Sequence, residues 1–367
     1  IFDYSHEVYR SMAGCLACKA CATQCPVKVD VPSFRSEFLQ SYHSRYLRPL
    51  SDHFVAGLEA ALPVMARAPL FFNLFLRSSV FQWLFARVTG LCDTPPLPRR
   101  SLAAELRRRG IGVLDPSKPP TIVSDKSVIL IQDAFTTFYE PHLVVATRDL
   151  LAALGCDVHI APYLPNGKGL HVKGFLRRFE AEARRTAAAL RGLTASGATL
   201  VALEPAVGLT YRDEYRHTLG RDLGFDVLLL QEWLAKIAPA APASPPAGEP
   251  YRLFGHCTEK TLAPASQRQW VDVFRRLGLG LELVSTGCCG MSGAFGHELS
   301  HQAESRGVWE LSWARWMRGD TSRILATGYS CRSQAKRFGD LALKHPVEVL
   351  LSHVSAQAGI AVGSVST

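Results

Sequence analysis

The chain has 367 residues, of which 47% are hydrophobic and 20% charged, enough for two or three domains with proper cores. The formal net charge of +9 lies on helix faces such as Arg177, Arg178, Arg184, Arg185 and Arg191, with no interleaved stacking aromatics and no known motif, so nucleic-acid binding is not expected. Ten cysteines at this length speak for a reducing compartment where thiolates serve metals, and against a small secreted disulfide scaffold.

The chain opens on Ile1 rather than Met, and Ile1–Tyr9 is polar and charged rather than an apolar secretory stretch, so it is expected to be the tail of a longer, cytoplasmic protein. Then follows Cys15-Leu-Ala-Cys18-Lys-Ala-Cys21-Ala-Thr-Gln-Cys25-Pro26, spaced C-x2-C-x2-C-x3-C-P. Two-residue gaps wrap a tight loop around one cluster, and the last step turns the chain away. The run is expected to hold a 4Fe–4S cluster. Structural zinc usually draws on two separated C-x2-C pairs, and disulfides this close together would be strained. Where two clusters are bound, the fourth cysteine of such a run serves the other cluster. Cys25 therefore closes the local cluster, serves a second site or pairs with a partner chain.

Helices are expected near 33–48, 52–66 and 70–88, with Pro32 in the first turn of the first of them, and the breaker Asp93–Pro98 ends the helical region 1–100. The most apolar stretch, Pro69–Val88, has the length of a membrane span but contains Arg77 and Arg87, so a buried or interfacial helix is expected, with peripheral contact at the inner face of a membrane as the lesser alternative. Residues 101–126 read as a linker. Strands near 127–132, 157–161 and 198–203 alternate with helices near 141–154 and 171–192, the pattern of a parallel sheet with crossover helices. The Pro/Ala linker 238–250 separates this α/β module (127–237) from a second (251–356) with strands near 251–255, 281–285 and 323–327, and 357–367 reads as a flexible tail.

The two α/β segments overlay with a shift of 123 residues. Ala134 then meets Cys257, and Pro165-Asn166-Gly167 meets Cys288-Cys289-Gly290; one further residue of slip brings Val207 opposite Cys331. Only the second module carries thiols at these positions, so the first is expected to be a cofactor-free copy, with Lys168 contacting a flavin domain or an acidic partner. Cys257, Cys288, Cys289 and Cys331 each follow an expected strand, and strand ends of a parallel sheet share one rim. These thiols should converge on a second Fe–S cluster, a thiol-redox site or a zinc ion. Gly290 allows a tight turn close to a ligand, and His256 is placed to donate a hydrogen bond behind the thiols. Cys92 and Cys156 lack such company, and Cys156 is assigned to the core.

The cysteines of the second module resemble the CCG domains of heterodisulfide-reductase-type subunits, with Gln334 standing where the last cysteine of that pattern belongs. A wider resemblance rests on CLACKACATQCPVKVDVP, SYHSRYLRPLSDH, PNGKGLHVKGFLRRF, YRDEY, FGHCTEKT, GCCGMSGAFGHE and ATGYSCRSQAKR, in that order. Together they resemble the C-terminal region of bacterial FAD-linked, iron–sulfur D-2-hydroxyglutarate dehydrogenases. The resemblance implies a helical ferredoxin-type domain followed by two CCG-like α/β modules. It implies an FAD domain, in the same longer chain or a separate subunit, that oxidises D-2-hydroxyglutarate to 2-oxoglutarate, with electrons leaving through this region to an external acceptor. Homo-oligomers are expected, and the chain alone should lack dehydrogenase activity. The alternatives are a heterodisulfide-reductase-like thiol/disulfide subunit and a non-catalytic module with structural zinc.

Overall fold

A computed structural model describes residues 3–122, 124–242, 246, 248–357 and 359. The expected tail, apart from Gln357 and Gly359, and part of the Pro/Ala linker lie outside them.

The first hundred residues are helical: α1 (Ser5–Ala13), α2 (Ala20–Gln24), α3 (Val31–Tyr42), α4 (Leu50–Met65), α5 (Pro69–Leu76) and α6 (Ser79–Thr89). Asp30 caps α3 by accepting the Ser33 N–H at 3.2 Å, and Pro32 sits in its first turn, where a missing N–H costs nothing. The helix expected over 70–88 is two helices, because the Ser78 hydroxyl accepts the Phe81 N–H and starts a new N-terminus. Nor is it buried. α5 buries only Asn73 and Leu76, α6 only Thr89, and Leu70, Leu74, Val80 and Trp83 face outward. Among the described residues no helix is long and apolar enough to cross a membrane.

The stretch 101–126 is more than a linker. It contains α7 (Leu102–Arg108), capped by Ser101, whose Leu102 and Leu106 lie one turn apart in the main core. Farther on, the Leu114 N–H reaches the Ile160 carbonyl at 2.9 Å.

The strands β1 (Ser127–Gln132), β2 (Asp157–Tyr163), β3 (Thr199–Ala202) and β4 (Val227–Leu229) form a parallel sheet in the order β2-β1-β3-β4. β1 is buried at every position, as a central parallel strand covered on both faces must be. Around it run α8 (Ala134–Phe138), α9 (Pro141–Ala153), α10 (Lys168–Val172), α11 (Leu176–Thr194), α12 (Pro205–Arg212), α13 (Glu214–Leu219) and α14 (Leu230–Ile237). The helix expected over 171–192 breaks at Gly174 (φ +69°), where a Cβ would stand 2.6 Å from that of Leu39, so α3 packs against the break.

Beyond the linker, β5 (Tyr251–Phe254), β6 (Leu281–Leu283) and β7 (Ile324–Ala326) form a second parallel sheet, ordered β6-β5-β7. Its helices are α15 (Cys257–Leu262), α16 (Pro264–Arg276), α17 (Gln302–Ser312), α18 (Tyr329–Gly339) and α19 (Pro346–Gln357). In both sheets the first strand is central, with the second and third on opposite sides. The sheets do not hang apart on the linker: Leu130, Val201 and Trp233 share one buried core with Leu253, Trp270 and Leu350. The architecture is thus a helical region joined to an α/β body with two parallel sheets.

Candidate metal centre

The cysteine run occupies the turn between α1 and α3, with α2 inside it. Its backbone takes left-handed values at Ala17 (φ +48°), Lys19 (φ +62°) and Lys28 (φ +52°), where a Cβ is disfavoured. Lys19, between the second and third cysteines, is 2% exposed. Its ammonium lies 2.7 Å from both Asp30 and Asp213, and 3.0 Å from the Ser33 hydroxyl. Burial opposes its charge, but Glu214, Asp213 and Asp30 outweigh it and hold the ammonium above its usual range. The loop is thereby tied to α13 of the first sheet. Cys25 ends α2 with its N–H on the Cys21 carbonyl, and the N–H groups of Val29, Val27 and Lys28 draw its thiol below the ordinary value.

At the second sheet, His256 follows β5 and Cys257 opens α15; Cys288 and Cys289 sit in the loop after β6; Cys331 lies in the first turn of α18. Cys257, Cys288, Cys289 and Cys331 lie close enough to act on one another's charge. Cys257 and Cys289 are pushed up, each first by its bond to Cys288, whereas Cys288 is pulled down, first by Cys257 and next by Cys289. Close thiols of this kind repel one another when ionised, so their ionisation is coupled. Gly290 (φ +90°) also donates its N–H to the Cys288 sulfur at 3.3 Å, and a Cβ there would stand 2.3 Å from the Ser305 carbonyl. Both its conformation and its surroundings require glycine.

His256 is buried, and burial drives its pKa down to about 4. Its ring nitrogens pair with the Thr258 hydroxyl (2.6 Å) and the Ser330 hydroxyl (3.2 Å). Gln334, in place of the missing cysteine, is buried and donates to the Ser305 hydroxyl at 2.9 Å. Among the described residues no three His, Cys, Asp or Glu side chains form a ready site for a single metal ion.

The two motifs touch. The Thr261 hydroxyl, on α15, donates to the Cys18 carbonyl at 3.0 Å, and the Ser292 hydroxyl, beyond Gly290, donates to the Leu16 carbonyl. Burial, joined by the charges of Cys288, Cys15 and Cys21, pushes the Cys18 thiol up.

The rim of the first sheet is filled differently. Glu59 of α4 accepts the Gly167 N–H at 2.8 Å, Tyr163 donates to the Glu59 carbonyl at 3.0 Å, and Tyr215 donates to the Asn166 carbonyl at 3.0 Å. Burial raises Glu59 to about 7. The ammonium of Lys168 pairs with buried Glu214 of this same chain. Cys156 is half-buried against the core, and Cys92, raised to about 11 by burial, takes a contact from Arg337 at 3.6 Å, away from both motifs.

Sequence reasoning passed over Lys19, Glu59 and Lys260. Lys260, three residues beyond Cys257, donates to the Thr286 carbonyl at 2.8 Å and lies within the field of Cys331 and Cys257. Its i+3 spacing was a usable signal. Glu59 offered none.

No family model matches the chain. A solved hypothetical protein from Helicobacter pylori overlays with a TM-score of 0.41 at 12% identity, over 66% of this chain and 53% of that one, too loose to support any inference. D-2-hydroxyglutarate dehydrogenase of Escherichia coli (strain K12) is 45% identical over 355 residues, and that of Pseudomonas putida 47% identical over 360 residues. That of Haemophilus influenzae is 42% identical over 365 residues. These matches take in 95–96% of this chain but 35% of each relative. Over nearly all its length, the chain is therefore a relative of about one third of the bacterial D-2-hydroxyglutarate dehydrogenases, in line with the resemblance of its motifs.

Proposed function

We propose that this chain is the iron–sulfur electron-exit region of a flavin-dependent D-2-hydroxyglutarate dehydrogenase, taking electrons from an FAD-bearing part and passing them to an external acceptor. The observation that carries this reading is the meeting of two thiol motifs, one in the helical region and one at the rim of the second sheet, pinned through Thr261 and Ser292. The residues fit iron–sulfur chemistry. All donors are thiols, all ten cysteines of the chain are free, and four of the six non-glycine residues with positive φ among the described residues (Ala17, Lys19, Lys28 and Ser292) flank these thiols. A set strung along a line of contacts suits a core of several irons better than one cation.

Cys15, Cys18, Cys21 and Cys25 would hold a 4Fe–4S cluster in a ferredoxin-type domain. Cys257, Cys288, Cys289 and Cys331 would hold a second cluster in a CCG-type module. When bound, such clusters accept and release single electrons, which lets a flavin that collects two be emptied stepwise. Lys19 shapes the first loop, Gly290 lets the second turn approach a ligand, and Lys260 offsets negative charge gathered on the rim thiols. The relatives are much longer than this chain, and the apolar side left bare by α5 and α6 suits docking of their FAD-bearing part. On this reading the chain alone oxidises no D-2-hydroxyglutarate.

Anaerobic iron, sulfide and zinc analysis with EPR of the reduced protein tests the proposal. Iron and sulfide in excess of one cluster are expected, and Cys15→Ser, Cys18→Ser and Cys21→Ser should each bleach the broad visible absorbance. Zinc near one per chain with no iron, or full absorbance in all three variants, would overturn it. The lowered Cys288 thiol favours a second reading, thiol/disulfide chemistry at Cys288 and Cys289, which predicts a reducible disulfide there in an iron-free protein.

A further inference from the structure

The helical region carries a surface that the chain itself leaves bare. From Ala60 to Leu91 it has five phenylalanines, Trp83 and three arginines, and no lysine, aspartate or glutamate. The rings run in contact across three helices, from Phe71 to Phe75, Phe81, Phe85 and Phe54, with centroids 5.2–5.9 Å apart. Around them Leu70, Leu74, Val80, Trp83, Leu84 and Val88 are each more than half exposed. Such a run exceeds the scattered apolar residues of an ordinary surface. The helices that present it are nonetheless fixed. Asn73, 6% exposed, donates to the Leu97 carbonyl and accepts its N–H, both at 2.8 Å, and Gln82 donates to the Leu76 carbonyl at 2.6 Å. A preformed surface loses little freedom on being covered.

The charges on this surface choose its occupant. Arg67, Arg77 and Arg87 are exposed, and their guanidinium groups have no hydrogen bond or ion pair among the described residues, whereas Arg108, Arg184 and Arg212 each pair with a carboxylate. On α6, Val80, Trp83, Leu84 and Arg87 stand at i, i+3, i+4 and i+7, so Arg87 shares the face of its apolar neighbours. A helix lying in a bilayer keeps its charges on the side opposite its apolar face. A second copy of this surface would set arginine against arginine with no acid between. Aromatic rings and arginine without lysine or acids are instead the composition of a protein–protein contact, where a guanidinium takes a carboxylate through two parallel bonds.

We propose that α5 and α6 are the seat of the flavin-bearing part, which meets them with an apolar surface carrying carboxylates, and that Trp83 and Arg87 are the anchors of the contact. The inference rests on the dehydrogenase reading above and names the chemistry of its partner. The seat is also joined to the second sheet. At the end of α6 the Gly90 carbonyl accepts the Leu299 N–H at 2.8 Å, and Cys92 gives its N–H to the His297 carbonyl at 2.7 Å. His297 and Leu299 lie in the same stretch between β6 and α17 as Cys288 and Cys289, so one run of chain connects the partner's seat with the thiols of the rim.

The test compares this chain alone with the dehydrogenase that includes the flavin-bearing part, as one chain or as a complex, by carbene footprinting. Leu74 and Trp83 should label strongly in the chain alone and lose that labelling when the flavin-bearing part is present. Arg87→Glu should restore it, since a reversed charge facing a carboxylate weakens such a contact by about a hundredfold, and Arg87→Lys, which keeps the charge, should restore less. Matching urea midpoints for the chain alone and its Arg87→Glu variant exclude misfolding as the cause. Protection of the chain alone by phosphatidylglycerol vesicles, or by raising its own concentration, overturns the proposal in favour of a membrane or a second copy. Iron, sulfide and flavin are counted in the same samples. A dehydrogenase that holds its flavin and iron yet leaves Leu74 and Trp83 labelled overturns this proposal alone, and one without flavin overturns the reading beneath it.

Discussion

At the carboxyl ends of β1 to β3, the turn Pro165-Asn166-Gly167 gives its Gly167 N–H to the buried carboxylate of Glu59, with tyrosines packed around. At the carboxyl ends of β5 to β7, the matching turn presents Cys288 and Cys289, and Gly290 gives its N–H to a sulfur. Both turns end on a glycine in the left-handed region, at φ +75° and φ +90°. The two sheets thus share the order of their first three strands and a glycine-ended turn, and they differ in what fills the rim: a carboxylate from α4 in the first, thiols in the second.

Four substitutions probe that comparison, beginning with the joint between the halves. Arg332 of α18 is 5% exposed, donates to the Ala326 and Thr327 carbonyls at 2.9 and 3.0 Å, and pairs with Glu140 of the first half at 3.1 Å. Arg332→Met strands Glu140 and leaves buried Glu204 without its nearby cation, so it should cost about 3–5 kcal/mol in urea unfolding. Next come the paired glycines. Gly290→Ala should cost about 2–4 kcal/mol, because its Cβ meets the Ser305 backbone carbonyl at 2.3 Å as well as straining φ. Gly167→Ala should cost less, about 1–2 kcal/mol, since there the Cβ meets the edge of the Phe179 ring at 2.8 Å, and a side chain can give way. Equal costs would mean the turns are held differently from their appearance.

The fourth effect is read as a pH slope and concerns acidity at the sealed rim. Burial lifts Glu59 from an ordinary 4.5 to about 7, so between those values the folded chain keeps a proton that the unfolded chain has released. Stability from this group is therefore full below about pH 4.5 and falls as pH rises toward 7. Glu59→Gln should flatten that fall by about 1–3 kcal/mol, read as the difference between the two pH–stability curves. A steeper fall in the variant would contradict the assignment.

Much of this was legible in the chain. β1 coincides with the expected 127–132, and the expected starts of β2 and β5 coincide with the observed ones, because buried parallel strands are short apolar segments bounded by turn residues. β4, three residues long, has no such signature. Ser78 and Gly174 divide helices whose composition reads as continuous, the first through a cap and the second through the close approach of α3. Strand-end reasoning placed Cys257, Cys288, Cys289 and Cys331 just after strands of the second sheet, where the structure has them. It could not locate the docking of the Cys15–Cys18 segment, which rests on hydroxyl groups reaching backbone carbonyls more than two hundred residues away. Lys19 was equally silent, since a lysine between cysteines reads as a solvated charge until Asp213 is seen beside it.

That lysine ties the cysteine loop to the α/β body. A buried ammonium is tolerable only with its carboxylates in place, and one of them, Asp213, arrives with the junction of α12 and α13. The loop between Cys18 and Cys21 therefore takes its shape only with that junction packed beside it, so a change that loosens α12 and α13 is felt at the distant cysteine run.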